Sequence, residues 1–564
     1  MIFFNNVITG KVFLIIASVT ILLSWLIPNH YVPWLTSHSE FFAFASLIIL
    51  SVFIFKFINH IYIPKKNIFI LLLMLIPIVQ FLLGKIFFWG DAFIVFIYLF
   101  SFFYALCLGF NVSKGTFFKQ NIYLTFYSII LLASVVSVFL AMQQWLLQSS
   151  GQLWLVDFPS NARPFANFAQ PNTLATFLCM GLMTSLYLYE KKYINKLSGI
   201  LISSFILFGI ALTQSRTTWV FSFAFLIWWL WKTYYFQTRL KKWSVFYFIG
   251  IYICFTITIP YISNYLGVVN ASDILTRATT GYLRIPMWHQ MLVAIKHEPL
   301  WGYGWNQVGV AQITVFQQYP TTEWTEHSHN ILLDLLIWNG IPLGLLIIAF
   351  IAWWLYQLSK LANSIEPFIA LSLVGAVLVH AMLEYPLEYA FFLLPVGFLL
   401  GLVQESDKDL RVIYISKKIM GLFVVVSIIL YIWIFIEYRI IEKDAQLVRF
   451  ESLNIGKSHA NSAAPDVILL TQLREQIRFI RTPPTENMSE KQLDWMRNVT
   501  YRFATSTALY RYAQALALNN QPELAKKHLL ILEKLHGKKF SFESLFQVNK
   551  SLAFEWQNKS VSKP

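Results

Sequence analysis

The chain has 564 residues, of which 57% are hydrophobic and only 13% charged, and its formal net charge at pH 7 is +15. Soluble chains carry about a quarter charged residues, so a water-soluble globular protein is excluded and the bilayer is the solvent. The cations fall between apolar segments and form no basic face, which excludes nucleic acid as a partner and makes them topology signals.

A membrane span needs roughly 17 to 25 mainly apolar residues. On that measure runs near 12–27, 41–58, 68–83, 92–110 and 122–147 precede the first long polar loop. Further runs lie near 174–189, 197–212, 219–235, 245–266, 331–356, 368–383, 390–403 and 420–436. Together they predict an all-α, polytopic membrane helix bundle of about 12–13 transmembrane helices. No small-residue cleavage site follows the first run, so it reads as a retained anchor and not a secretory signal. Cys107, Cys179 and Cys254 all lie inside apolar runs, leaving no disulfide framework and no zinc spacing.

Lys and Arg recur in every second loop: Lys65 and Lys66; Lys114 and Lys119; Lys191, Lys192 and Lys196; Arg239, Lys241 and Lys242; Lys360; Lys408, Arg411, Lys417 and Lys418. Cytoplasmic loops collect such residues, which predicts a cytoplasmic N-terminus and an external C-terminal tail. Two long external segments, 148–172 and 267–330, exceed the length at which loops are usually functional or disordered, about 12–15 residues. Their Trp, Gly, Arg and His content favours order. The tail is polar and helical in pattern, with Tyr510, Ala513, Ala517, Leu518, Ala525, Leu529 and Leu532 at helical spacing and a turn at Asn519-Asn520-Gln521-Pro522. It reads as one tetratricopeptide-like helical hairpin, so the expected division is a membrane domain over 1–440 and a C-terminal helical domain over 441–564.

Arg163, Arg216 and Arg284 sit on the side of the membrane where the charge bias does not want them. A guanidinium there forks onto phosphate oxygens, either of a substrate or of lipid headgroups to which it snorkels. Arg284-Ile285-Pro286-Met287-Trp288 opens an expected helix with Met287, Met291 and Ile295 on one face, ending near Pro299. Gly302 and Gly304 then permit close backbone approach or an ordinary turn. In Glu326-His327-Ser328-His329-Asn330, Asn330 is placed to cap the next span, which leaves the histidines unexplained. A His-x-His pair binds metal only with further ligands, and the outer loops hold no carboxylate cluster, so a general base is the better use and no metal is expected. His380 and Glu384, at the outer end of a span, are either functional groups or a polar pair that fixes helix packing. Forked cations, a histidine base and access from the membrane suit glycosyl transfer from a lipid diphosphate.

The pattern from Arg284 through Gly302-Tyr303-Gly304 to His329-Asn330 and Gly340 resembles the O-antigen ligase and polymerase superfamily. The segment Arg163-Pro164-Phe165-Ala166-Asn167-Phe168-Ala169-Gln170-Pro171-Asn172 is similar to the signature of its pilin-glycosylation branch, the bacterial O-oligosaccharyltransferases, and adds Gln170 and Asn172 to the candidate site. The resemblance implies a protein of the bacterial inner membrane with a periplasmic tail. It further implies transfer of an oligosaccharide from undecaprenyl diphosphate to a Ser or Thr hydroxyl of a pilin or another periplasmic protein, without metal or cofactor. Carried over by position, Arg216 and Arg284 hold the diphosphate, His329 takes the acceptor proton, and direct attack inverts the anomeric carbon. The family's Gly-x-x-Gly after the histidine is here Gly340-Ile341-Pro342-Leu343-Gly344, one residue longer, which affects helix packing. Two other functions are weighed: an O-antigen ligase or polymerase acting on lipid A core or glycan acceptors, and a lipid-linked saccharide transporter. Transport is disfavoured because such sites lie near the bilayer midplane, whereas these residues crowd one face.

Overall fold

A computed structural model describes residues 2–57, 60–112, 116–148, 151–157, 162–268, 284–452, 455 and 463–547, with the backbone alone for 2–11, 55–57 and 116–120. Lys114, the side chain of Lys119 and residues 269–283 of the second long segment lie outside this description. The chain begins with α1 (Ile2–Leu26) and α2 (Ser37–Phe57), continues through the short pair α3 (Ile68–Leu73) and α4 (Ile76–Leu82), and then forms α5 (Trp89–Val112) and α6 (Thr116–Trp145). After the first long segment come α7 (Pro171–Glu190), α8 (Lys196–Thr213), α9 (Thr217–Lys232) and α10 (Val245–Tyr265). The second long segment carries α11 (Arg284–His297) and α12 (Val308–Thr314), followed by α13 (Ile331–Ser359), α14 (Ile365–Ala381), α15 (Ala390–Gln404) and α16 (Lys417–Ser452). Four more α-helices, α17 (Thr471–Arg481), α18 (Glu490–Arg502), α19 (Ser506–Leu518) and α20 (Pro522–His536), follow, with a 3-10 turn at Phe542–Phe546 after them.

Among the described residues eight helical stretches are long and apolar enough to cross a membrane: Ser37–Ile54, Lys65–Leu82, Trp89–Val112, Asn121–Trp145, Lys196–Thr213, Lys242–Tyr265, Ile331–Ser359 and Lys417–Ser452. Three shorter apolar helices, Val12–Leu26, Ile365–Ala381 and Ala390–Gln404, join them in the bundle together with α7 and α9. The protein is a multi-pass membrane protein with a helical bundle fold. Lipid-facing helices such as α10 and α16 display Ile253, Ile257, Leu422, Val425 and Ile429 outward, since in lipid no exposed apolar side chain is penalised and every backbone bond closes within the helix. The tightest pair is α5 with α15. A Cβ on Gly109 would stand 2.1 Å from the Phe398 carbonyl oxygen, and one on Gly401 would stand 2.1 Å from that of Leu106. Small residues thus let the two backbones touch where no hydrophobic effect drives helices together.

The expected span over 68–83 is broken between α3 and α4. Pro77 stands in the first turn of α4, where its missing N–H is harmless, and its ring forbids a continuous helix through the Leu73 carbonyl four residues earlier. Two strands, β1 (His60–Pro64) and β2 (Val412–Ser416), pair antiparallel with Tyr62 opposite Tyr414, an element that the span pattern does not predict. Asn111 at the far end of α5 fastens this sheet by bonding both the N–H and the carbonyl of Tyr62. The sheet therefore marks one end of the bundle, and the start of α5 marks the other.

The expected boundary between 440 and 441 falls inside α16, which runs unbroken over 36 residues. Past the membrane-length portion the helix becomes amphipathic, burying Ile434, Glu437, Tyr438, Ile441, Ala445 and Val448 at helical spacing. The Glu437 carboxylate accepts the N–H groups of Ile468, Leu469 and Leu470 just before α17, and Arg481 forks onto Asp444 and Glu451. A Ser489–Gln492 capping box starts α18, Thr505 caps α19, and Gly537 in the left-handed conformation ends α20. The pair α19 and α20 turns back on itself at Asn519–Gln521. Their apolar faces pack with Phe88, Ile313, Phe316 and Trp324, so the C-terminal helices share a core with the second long segment.

The break in α13 is the sharpest backbone feature of the bundle. Gly340 adopts φ 73° and ψ 174° inside this helix, and Pro342 opens its second half. Residues 299–304 fill the break: Tyr303 and Gly304 N–H bond the Ile337 and Trp338 carbonyls, and Ile341 N–H bonds that of Pro299. Gln80 donates to the Trp338 carbonyl and accepts from Trp305 N–H, while Asn339 accepts from the Trp305 indole. A Cβ on Gly302, which has φ 64°, would stand 2.5 Å from Gly340 N and from the Ile337 carbonyl oxygen. Gly302→Ala should therefore lower the thermal unfolding midpoint in detergent, because ~1–3 kcal/mol of backbone strain adds to a clash with backbone that cannot yield. An unchanged midpoint would refute this packing.

Candidate functional site

Several chain ends meet at the end of the bundle away from the sheet: the starts of α7, α9, α11, α13 and α15 and the ends of α8 and α14. At their centre, in the turn after α14, lies the carboxylate of Glu384, whose side chain is 5% exposed. Its Oε1 accepts from Arg284 Nη2 at 2.9 Å and Asn172 Nδ2 at 2.5 Å. Its Oε2 accepts from Gln170 Nε2 at 2.7 Å and faces His380 Nε2 at 3.1 Å. Burial alone would raise its pKa, but the hydrogen bond with His380 and the Arg284 guanidinium prevail and hold it at about 2. The carboxylate is therefore ionised, and His380 must present a protonated Nε2 to it.

The segment that supplies Gln170 and Asn172 is held rigidly from behind. Gln144 of α6 accepts the N–H groups of Phe165 and Ala166 and donates to the Ala166 carbonyl. Asn167 donates to the carbonyls of Leu26 and Trp154 and accepts Val156 N–H. Gln170 then stands at the N-cap of α7 with Pro171 as first helical residue, which aims Gln170 and Asn172 at Glu384. The carbonyl of the Asn172 side chain accepts Ser215 Oγ at 2.7 Å. Arg163 Nη1 reaches the Thr213 and Gln214 carbonyls at 3.3 and 3.5 Å, so the α8–α9 turn that carries Arg216 is tied to the same segment. Arg216 itself is exposed immediately before α9.

The histidine loop closes the other side. Asn330 is the N-cap of α13, its side-chain oxygen accepting Leu332 and Leu333 N–H, and its Nδ2 donates to the Met382 carbonyl beside Glu384. Asp334 Oδ1 accepts Ser328 N–H, and the Trp288 indole of α11 donates to the Ser328 carbonyl. His329 has φ 56°, a left-handed turn that sets its half-buried ring edge-on to Tyr385 with centroids 5.3 Å apart. The His327 ring lies 4.3 Å from the same tyrosine. His327 Nδ1 approaches Glu388 Oε1 at 2.9 Å, an ion-pair contact without the alignment of a hydrogen bond. Burial opposes the charge of His327, but Glu388, with Asp334 and Glu326 behind it, raises its pKa above the usual imidazole value.

Of the residues singled out from the sequence, Arg284, Gln170, Asn172, His380 and Glu384 bond directly, and His327, His329, Asn330 and Trp288 form the adjoining loop. Arg216 belongs to the α8–α9 turn at its edge, and Arg163 bonds to that turn from the segment before α7. Gly302 and Gly304 contact the break in α13 and the Lys85 carbonyl with the Ile86 side chain, which makes them scaffold for the loop and not part of the carboxylate cluster. Sequence reasoning missed Gln144, Ser215, Asp334, Tyr385, Glu388 and Arg502. Glu388 was accessible to the argument that picked out Glu384, being an acidic residue four positions on at the same membrane edge. Among the described residues no three of His, Cys, Asp and Glu stand together as a metal-binding group.

The comparisons with known proteins bear on the same segments. Residues 201–348 match the family described as O-Antigen ligase, residues 164–189 that described as Protein glycosylation ligase, and residues 368–549 that described as Virulence factor membrane-bound polymerase, C-terminal. Two relatives come from Acinetobacter baylyi. A general O-oligosaccharyltransferase is 32% identical over 559 residues, covering 97% of this chain and 96% of its own. A ComP-specific O-oligosaccharyltransferase is 29% identical over 497 residues, covering 87% and 88%.

The Glu384 cluster fixes the sign of a pH effect. A carboxyl whose folded pKa is depressed stabilises the fold fully above its ordinary value, near 4.5, and that contribution drains away as pH falls toward about 2. The thermal midpoint of the solubilised protein should drop between neutral pH and pH ~3, and Glu384→Gln, which cannot ionise, should be less stable at neutral pH and lose less on acidification. Parallel acid profiles for the two proteins would contradict this.

Proposed function

The chain belongs to the bacterial O-oligosaccharyltransferases of the O-antigen ligase superfamily, and from that premise we propose that it transfers an oligosaccharide en bloc from undecaprenyl diphosphate to Ser or Thr of a pilin or another periplasmic protein. It is a glycosyltransferase, and its relatives set aside transport without chemistry. The reading locates it in the inner membrane with the sheet end cytoplasmic and the site and C-terminal helices periplasmic. The clustering of Lys65, Lys66, Lys191, Lys417 and Lys418 near the sheet end supports that orientation. A division into a membrane domain over 1–440 and a helical domain over 441–564 is retained functionally, with α16 as the shared element.

The observation that carries the mechanism is the meeting of Arg284 and the histidine loop at Glu384. Arg284 gives one amino group to Glu384 and remains 34% exposed, which leaves other N–H donors of its fork for phosphate oxygens. Arg284 and Arg216 bind the diphosphate, and His329 accepts the proton of the acceptor hydroxyl as its oxygen attacks the anomeric carbon. The new glycosidic bond forms as the bond to the diphosphate breaks, undecaprenyl diphosphate leaves as the anion, and configuration inverts. Glu384 faces the charge that His329 gains, stabilising the imidazolium as it forms. No metal takes part in this scheme.

His329→Ala should abolish glycan on a co-expressed pilin while the protein still inserts, since losing a general base costs about 10²- to 10⁴-fold; undiminished glycosylation would remove His329 from the role. Arg284→Lys should be strongly impaired, because an ammonium cannot fork onto two oxygens, and near-normal transfer would count against diphosphate binding there. Run with purified enzyme in excess chelator, the wild-type rate should not change.

A further inference from the structure

Arg502, the last residue of α18, bridges the C-terminal helices to two places in the membrane bundle. Its Nε lies 3.1 Å from both carboxylate oxygens of Asp91, and its Nη2 lies 3.0 Å from Oδ1. Its Nη1 donates to Glu326 Oε1 at 3.3 Å. The pair is well sequestered, with the side chain of Arg502 13% exposed and that of Asp91 3%. Asp91 is in the first turn of α5, beside Gly90, whose N–H donates to Thr471 of α17. Glu326 is the residue before His327 and three before His329. One guanidinium thus ties the loop that carries the proposed base to the start of α5, from an element outside the bundle.

Other ties of this loop stand on either side of Glu326. Gln312 holds Thr321, Glu323 and Thr325 on the N-terminal side, and Gln290 holds Tyr319 and Thr321. Trp288 and Asp334 hold Ser328 on the C-terminal side. Arg502 acts between these two sets, at the point from which the histidines project.

We propose that Arg502 is a positioning residue for glycosyl transfer: through Glu326 it sets the His327–His329 loop in its working geometry, so the C-terminal helices complete the active site and do more than decorate it. This rests on the reading of His329 as the base. Arg suits the task because its rigid planar fork serves two carboxylates from fixed directions, whereas an ammonium is a point charge on a flexible stem. Displacing a reacting group by about 1 Å costs rate on the order of 100-fold without a matching loss of substrate binding.

The test uses the full-length enzyme in detergent or vesicles and normalises rates to correctly folded protein. Glu326→Ala removes the arm to the loop and leaves the Arg502–Asp91 pair in place, so the C-terminal helices stay docked. Arg502→Met breaks both arms, and Arg502→Lys keeps the charge but not the fork. Per folded molecule, Glu326→Ala and Arg502→Met should lower kcat about 10- to 100-fold while KM for the lipid-linked donor changes far less, and Arg502→Lys should recover part of the loss. A purely structural clamp predicts the opposite pattern: a lower melting temperature and less inserted protein, with kcat per folded molecule unchanged in Glu326→Ala and Arg502→Met. That result would overturn the inference. His329→Ala run alongside separates the two ideas, because its continued activity would defeat the base assignment, whereas its inactivity beside normal Glu326→Ala defeats only the positioning role of Arg502.

Discussion

A buried carboxylate at the edge of a membrane is tolerable only if its charge and lone pairs are all engaged, and that constraint organises the site around Glu384. Four side chains from separate parts of the sequence converge on its two oxygens: Gln170 and Asn172 from the start of α7, Arg284 from α11, and His380 one helical turn back in α14. Removing any one donor leaves the charge undercompensated in a poorly solvated place, where such a loss is expensive. The arrangement therefore fixes three helices relative to one another as firmly as apolar packing would. It also explains why the preceding segment is so heavily bonded, since Gln170 and Asn172 can be aimed only if Gln144 and Asn167 first freeze the backbone behind them.

A second constraint acts on backbone rather than charge. Non-helical backbone at membrane depth must find partners within the protein, and the break of α13 at Gly340 finds them in residues 299–304 and in the amides of Gln80 and Asn339. The same break sits against α4, the second half of the split span, which supplies Gln80. Two irregularities therefore satisfy each other, and between them they anchor the stretch between α11 and α13 from which the histidine loop emerges. The wider glycine spacing, Gly340 to Gly344, belongs to this device: Gly340 serves the break, and a Cβ on Gly344 would stand 2.9 Å from the Leu335 carbonyl oxygen across it.

The bundle class, the placement of the helices, the cap at Asn330 and the turn near Asn519–Gln521 were legible because each depends on local composition or on a residue beside its partner. The gathering of Arg284, His329 and Glu384 was visible only as a shared side of the membrane. Which of them touch was not, since Arg284 and Glu384 are 100 residues apart and nothing local records the contact. The split of the third span, the strands flanking the bundle and the passage of α16 through position 440 were missed for a related reason. Apolar runs report burial in lipid, whereas breaks and continuations depend on tertiary partners such as Gln80, Asn111 and Glu437. The pairing of Arg502 with Asp91, 411 residues apart, was the least readable, because two ordinary charges in unrelated segments carry no signal until folding brings them together.

Two of the arginines that the charge bias leaves unexpected, Arg163 and Arg284, and two from the C-terminal helices, Arg481 and Arg502, share a physical solution. Arg284 is set against Glu384, Arg502 against Asp91 and Glu326, and Arg481 against Asp444 and Glu451, while Arg163 spends its donors on the carbonyls of Thr213 and Gln214. Each cation is held where the fold offers it a fixed anion or carbonyl, and the bond it makes joins segments that apolar packing alone would leave free to slide. Those of Arg163, Arg284 and Arg502 join distant parts of the chain around Glu384 and the histidine loop.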